Sequence, residues 1–185
     1  MKLIVLTDIY GKTKHLEKLV QSLSSKYSSI DIIDPYESLK IDFLNEADAY
    51  TYFQKNCGLD NYIDKLSQYL KVQQNNEYHL LGFSIGASVI WAVSEKYQFN
   101  EKVKAICFYG SQIRNFLYIQ PNIKVDLYFA KKELNFNTDE IINILMKKTK
   151  VNCFKTDYLH GFMNQESKNY NKNGYTKYID ILRNI

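Results

Sequence analysis

Six short apolar runs, separated by stretches of helical periodicity or by turns, constrain this chain more than any other feature. They are KLIVLT (2–7), IDIID (30–34), YHLLGF (78–83), KAICFYG (104–110), IKVDLYF (123–129) and VNCFKT (151–156). Runs of this length that are apolar on both faces predict buried strands, and strands alternating with helices predict parallel connections. Leu16, Leu19, Val20 and Leu23 recur at helical spacing and predict a helix over 13–27. Helices are also expected over most of 42–72, with an interruption near Cys57 and Gly58, and over 85–98, 138–148 and about 167–183. Pro35 stops the second strand. The expected class is α/β: a three-layer sandwich around a mostly parallel six-stranded sheet, in a single domain over 1–185.

Composition narrows the function classes. The hydrophobic share of 45% and charged share of 24% suit a globular core rather than a disordered chain. The net charge of +4 comes from lysines scattered among acids, which predicts a solvated surface and no nucleic-acid partner. No apolar run approaches the ~18 residues of a membrane span, and MKLIVLTDIYG turns polar too early for a signal peptide. A cytoplasmic protein without a membrane partner is expected. Cys57, Cys107 and Cys153 form no CxxC pair, so neither a disulfide framework nor a metal site is expected.

Sites in parallel sheets form beyond the carboxyl ends of strands. Ser84 stands at such an end, in Gly82-Phe83-Ser84-Ile85-Gly86, directly before a helix. A GxSxG turn holds its serine on a sharp strand-to-helix bend, and glycines fill the flanking positions where side chains would meet neighbouring backbone. The helix start adds free N–H groups and the positive end of a dipole.

A serine hydroxyl needs a base to become a nucleophile. His15 is expected on the surface of the first helix, and His79 opens the strand whose other end carries Ser84. His160 follows the last strand and is the candidate base. A carboxylate should follow the strand over 123–129: Glu133 is the choice, with Asp139 as substitute, while Asp126 falls inside the strand. An oxyanion hole needs two backbone donors. The amide of Ile85 is one, and Ile9, in the TDIYGK loop that Gly11 allows to turn, is the expected other.

Five segments together resemble the dienelactone hydrolase family of α/β-hydrolases. They are LTDIYG (6–11), LLGFSIGAS (80–88), ICFYG (106–110), FAKKELNF (129–136) and LHGFMN (159–164), and they span most of the chain. The resemblance implies an α/β-hydrolase-like fold, with Ser84 as nucleophile, His160 as base, Glu133 as acid, and the Ile9 and Ile85 amides as oxyanion donors. It implies a cofactor-free enzyme acting on a small ester or lactone through an acyl-enzyme. The chain departs from the family in four ways. Serine stands where the founding enzymes have cysteine, and glutamate stands where aspartate is usual. The first strand matches the family's third, so the usual amino-terminal strands are lacking. Residues 42–72 show no counterpart of the family's substrate-binding arginines.

Two other readings stay open at this point. One is an inert ligand-binding protein on a degenerate hydrolase scaffold. The other is a flavodoxin-like binder of flavin or nucleotide, suggested by LTDIYGKTKHLEKL (6–19) alone. Tyr10, Tyr50, Tyr52, Phe53 and Tyr109 are expected mainly as core aromatics. Short connections after 110 and 129 leave little room for a lid, which suggests an open site for short acyl groups.

Overall fold

A computed structural model describes residues 1–73 and 76–184. Its elements are β1 (Lys2–Leu6), α1 (Lys14–Leu23), β2 (Ser29–Ile33), α2 (Glu46–Asn56), α3 (Gly58–Lys71), β3 (Tyr78–Phe83), α4 (Ile85–Val93), β4 (Lys104–Phe108), β5 (Lys124–Phe129), α5 (Thr138–Leu145), β6 (Val151–Lys155) and α6 (Lys172–Asn184). A short 3₁₀ turn, Ser111–Asn115, follows β4. The strands form one sheet in the order β2-β1-β3-β4-β5-β6. Every pairing among the described residues is parallel, so the sheet is wholly rather than mostly parallel.

Alternation along the strands divides the core in two. Ile4, Leu6, Leu80, Ala105, Cys107, Val125 and Leu127 face one way and bury α3, α4 and α5. Leu3, Val5, Leu81, Phe83, Ile106 and Phe108 face the other way and bury α1 and α6. A strand buried on both faces has no polar side to show, which is why these runs lack an alternating pattern. The result is the expected three layers.

Helix ends depart from periodicity where local hydrogen bonding intervenes. α1 ends at Leu23 rather than 27, although Tyr27 beyond it is buried and prolongs the apolar signal. α4 closes at Val93 with Ser94 N–H turned back to the Trp91 carbonyl. α6 starts at Lys172, where the Asn171 side chain accepts the Gly174 N–H, rather than near 167. Gly58, at φ 72°, makes the expected break between α2 and α3.

Strand order reverses between β1 and β3, whose Leu6 and Gly82 are neighbours at the carboxyl ends. Such a switch opens a crevice for ligands. Among the described residues, no helix is long and apolar enough to cross a membrane.

Candidate active site

Ser84 sits at that crevice, between β3 and α4, at φ 51° and ψ −113°. A non-glycine residue with positive φ is held there only by its surroundings. Here the Ser84 N–H donates to the Phe108 carbonyl at 2.9 Å, and the Ser84 carbonyl accepts the Ser88 N–H at 3.1 Å. Gly82 and Gly86 make the bend sterically feasible. A Cβ on Gly86 would lie 2.5 Å from the Thr7 carbonyl oxygen, and one on Gly82 would lie 2.7 Å from the Ala87 nitrogen. Both gaps are below any real carbon contact, so α4 packs this closely on β1 and β3 only with glycine at both positions.

The loop after β6 brings His160 over the serine. Ser84 Oγ lies 2.8 Å from His160 Nε2. On the other side of the ring, His160 Nδ1 lies 2.8 Å from Glu133 Oε1, on the loop after β5. A carboxylate can only accept, so Nδ1 carries the proton and Nε2 is left to accept from the Ser84 hydroxyl. The imidazole and carboxylate are mostly buried, with side-chain exposures of 22% and 12%. Its ring also leans on Tyr109, with centroids 5.0 Å apart. Asn169 Nδ2 donates to the His160 carbonyl at 2.9 Å.

The third segment is the loop after β1. Among the described residues, neither the Ile9 nor the Ile85 N–H donates to a backbone carbonyl. The Ile9 carbonyl is engaged, accepting the Tyr36 hydroxyl at 2.7 Å. Gly11 takes φ 70°, and its N–H returns to the Asp8 carbonyl at 3.2 Å. A groove of about 260 Å³ runs outward from this loop, lined by Tyr10, Lys12, Lys14, Lys40, Phe43 and Glu166.

The remaining candidates lie elsewhere. Asp139 is exposed on α5 and pairs with Lys155 at 2.7 Å, away from His160. Asp126, inside β5, pairs with Lys104 at 2.7 Å. His79 is buried at the start of β3 against the Tyr27 hydroxyl, 2.9 Å away, and burial pushes it down to about 4. His15 is not a surface residue. It is 6% exposed, because α6 and the histidine loop fold over α1, and its Nε2 meets the Met163 carbonyl at 2.9 Å. Of the aromatics, Phe53 and Tyr109 are core, whereas Tyr50 is exposed on α2. Among the described residues, no group of three or more His, Cys, Asp or Glu could hold a metal ion.

Three buried residues beside the relay are not among the sequence candidates. Asp8 is buried between the β1 loop and the histidine loop, where Asn164 Nδ2 donates to it at 2.7 Å. Tyr109 directly follows β4, at φ 41°. Asp8 has a positional signal, directly following the predicted strand 2–7, whereas Tyr109 lies inside the predicted run 104–110 and is expected there as a core aromatic. Asn164, inside a loop, gave no signal.

The architecture is that of the α/β-hydrolases. A dienelactone hydrolase-like promiscuous phosphotriesterase from metagenomic libraries superposes with a TM-score of 0.66 at 10% identity, over 99% of this chain and 84% of that one. A lipase-esterase related protein from Clostridium acetobutylicum ATCC 824 gives 0.61 at 14% identity, over 99% and 93%. Carboxylesterase CesB of Bacillus subtilis gives 0.60 at 10%, over 100% and 84%. In sequence, the chain is 28% identical to the uncharacterized protein YczH of Bacillus subtilis strain 168, over 98% of this chain and 90% of that protein. No family model matches the chain.

Proposed function

We propose that this protein is a serine hydrolase that cleaves small carboxylic esters or lactones through an acyl-enzyme. The observation that carries this reading is the unbroken relay Ser84–His160–Glu133, with both links at 2.8 Å, built on a strained serine. Such a relay has a chemical use, and the α/β-hydrolase fold with esterases among its structural neighbours supports it.

In this mechanism Ser84 Oγ forms a bond to the ester carbonyl carbon as its proton passes to His160 Nε2. The carbonyl π electrons move onto oxygen, and the oxyanion accepts the Ile9 and Ile85 N–H groups. Glu133 holds the ring orientation and stabilises the imidazolium. Collapse breaks the bond to the leaving alcohol, which takes the proton from Nε2. Water then attacks the acyl-enzyme carbonyl as its proton passes to His160 Nε2, and collapse breaks the bond to Ser84 Oγ, which takes that proton back as the acid is released.

The test is labelling with a small fluorophosphonate, followed by peptide mapping. The expected outcome is one adduct on Ser84, lost in Ser84→Ala and in His160→Ala. A folded wild-type protein that forms no adduct would refute the reading and point to an inert ligand-binding scaffold.

A further inference from the structure

Asp8 is a carboxylate in a place where charge is costly. It is 7% exposed, at the carboxyl end of β1, one residue before the proposed oxyanion donor. Its Oδ1 accepts the Tyr10 N–H at 3.0 Å, and its Oδ2 accepts from the Asn164 side chain at 2.7 Å. Asn164 belongs to the loop that carries His160, its own N–H donating to the Gly161 carbonyl at 2.9 Å. Two segments 156 residues apart in sequence thus meet at one side chain.

The peptide groups around Asp8 show what this contact sets. The Asp8 carbonyl accepts from Gly11 N–H at 3.2 Å and from the Thr7 hydroxyl at 3.1 Å. In a trans peptide the carbonyl and the following N–H point in opposite directions, and no cis bond occurs among the described residues. Holding the Asp8 carbonyl therefore aims the Ile9 N–H. The next peptide is pinned at both ends, its carbonyl by Tyr36 and its N–H by the Asp8 carboxylate. Without that carboxylate, one side of this arrangement is released.

We propose that Asp8 is a positioning residue: its carboxylate, held between the Tyr10 N–H and the Asn164 amide, presets the Ile9 N–H and keeps the oxyanion loop in register with the histidine loop. The inference rests on the hydrolase reading above and deepens it. An asparagine could accept from Tyr10 or from Asn164 but would present its own N–H₂ to the other donor. A carboxylate accepts from both.

Protonation gives the arrangement a pH signature. Burial, partly offset by the Asn164 and Tyr10 hydrogen bonds, raises Asp8 to about 6. The titratable groups facing it are His160, which favours its ionised form when protonated, and Glu46, which opposes it. Tyr10 and Tyr109 lie beside it, and His15 lines the same cavity of about 20 Å³ between α1 and the two loops. Below about pH 6 the carboxylate takes a proton and loses an acceptor.

The experiment compares wild type, Asp8→Asn, Asn164→Ala and the double variant in fluorophosphonate labelling and p-nitrophenyl acetate hydrolysis from pH 5 to 8, with melting curves for each. A misaimed donor costs less than a deleted one, whose loss is worth about 10²–10³ in rate. The expected result is kcat down about 10- to 100-fold in Asp8→Asn, with KM little changed. The double variant should be no slower than Asp8→Asn, and the acid limb of log kcat/KM should be less steep by one proton when Asp8 is replaced. Labelling of wild type together with wild-type kcat and an unchanged acid limb in Asp8→Asn overturns the inference alone. If Asp8→Asn does not fold, wild-type kcat in Asn164→Ala overturns it. No labelling of the wild-type protein overturns the hydrolase reading, and this inference with it.

Discussion

At the scale of single residues, the site separates two carboxylates that local sequence treats as near equals. Glu133 and Asp139 both follow β5, but only Glu133 reaches His160; Asp139 is held by Lys155. Glu133→Gln should therefore lower kcat by about 10²–10⁴, because an amide neither fixes the productive tautomer nor stabilises the imidazolium. Asp139→Asn should hydrolyse p-nitrophenyl acetate at the wild-type rate, since an exposed ion pair contributes little. A second titration belongs to stability rather than activity. His79 is depressed to about 4 in the folded protein by burial, against ~6.5 in an unfolded chain. Between those values the unfolded chain holds the proton and the folded one does not, so His79 costs stability as pH falls through that window. The urea midpoint of wild type should accordingly fall relative to His79→Phe between pH 6.5 and 4, and a constant gap would argue against this. Ser84, His160 and Glu133 were readable because each follows a predicted strand end. The burial of His15 was not, because the segment that covers it, around Met163, lies far along the chain.

At the scale of elements, two glycines separate steric need from conformational need. At Gly86 the cost is contact: an added methyl group meets the Thr7 and Leu6 carbonyls, which α4 can avoid only by lifting off β1. Gly86→Ala is expected to destabilise by about 3 kcal/mol, the upper end of the usual overpacking cost, because the contact is with fixed backbone, or to fail to fold. At Gly58 nothing lies within 4 Å of an added Cβ, and only the φ of 72° opposes it. Gly58→Ala should cost about 1 kcal/mol, the usual penalty for a left-handed alanine. Urea unfolding of the two variants decides between these accounts, and equal losses would contradict them. Strand positions were legible to within a residue or two, because a buried strand needs an apolar run. Helix ends were less so. They follow side-chain caps such as Asn171 and turns such as Ser94, and periodicity does not register either.

At the scale of the molecule, the segment between β5 and α5 is short, covering only 130–137, whereas longer segments follow β2, β4 and β6. A connection this short leaves no room for a large lid after β5, so short acyl groups are the expected substrates: kcat/KM should be higher for p-nitrophenyl acetate or butyrate than for the palmitate, and the reverse order would mean a binding surface for long chains. The layered parallel architecture was legible because six apolar runs interleaved with helices admit few arrangements. The joining of the β1 loop to the histidine loop was not, since it depends on two polar side chains, Asp8 and Asn164, that carry no pattern. That joining has a consequence for synthesis. The proposed oxyanion donor is made near the start of the chain, while the base, and the Asn169 amide that supports it, come only after β6. A polypeptide emerging from the ribosome can lay down its early strands, but the proposed relay stays incomplete until the loop after β6 has been made, so on this reading reactivity waits for segments 156 residues apart to close on each other.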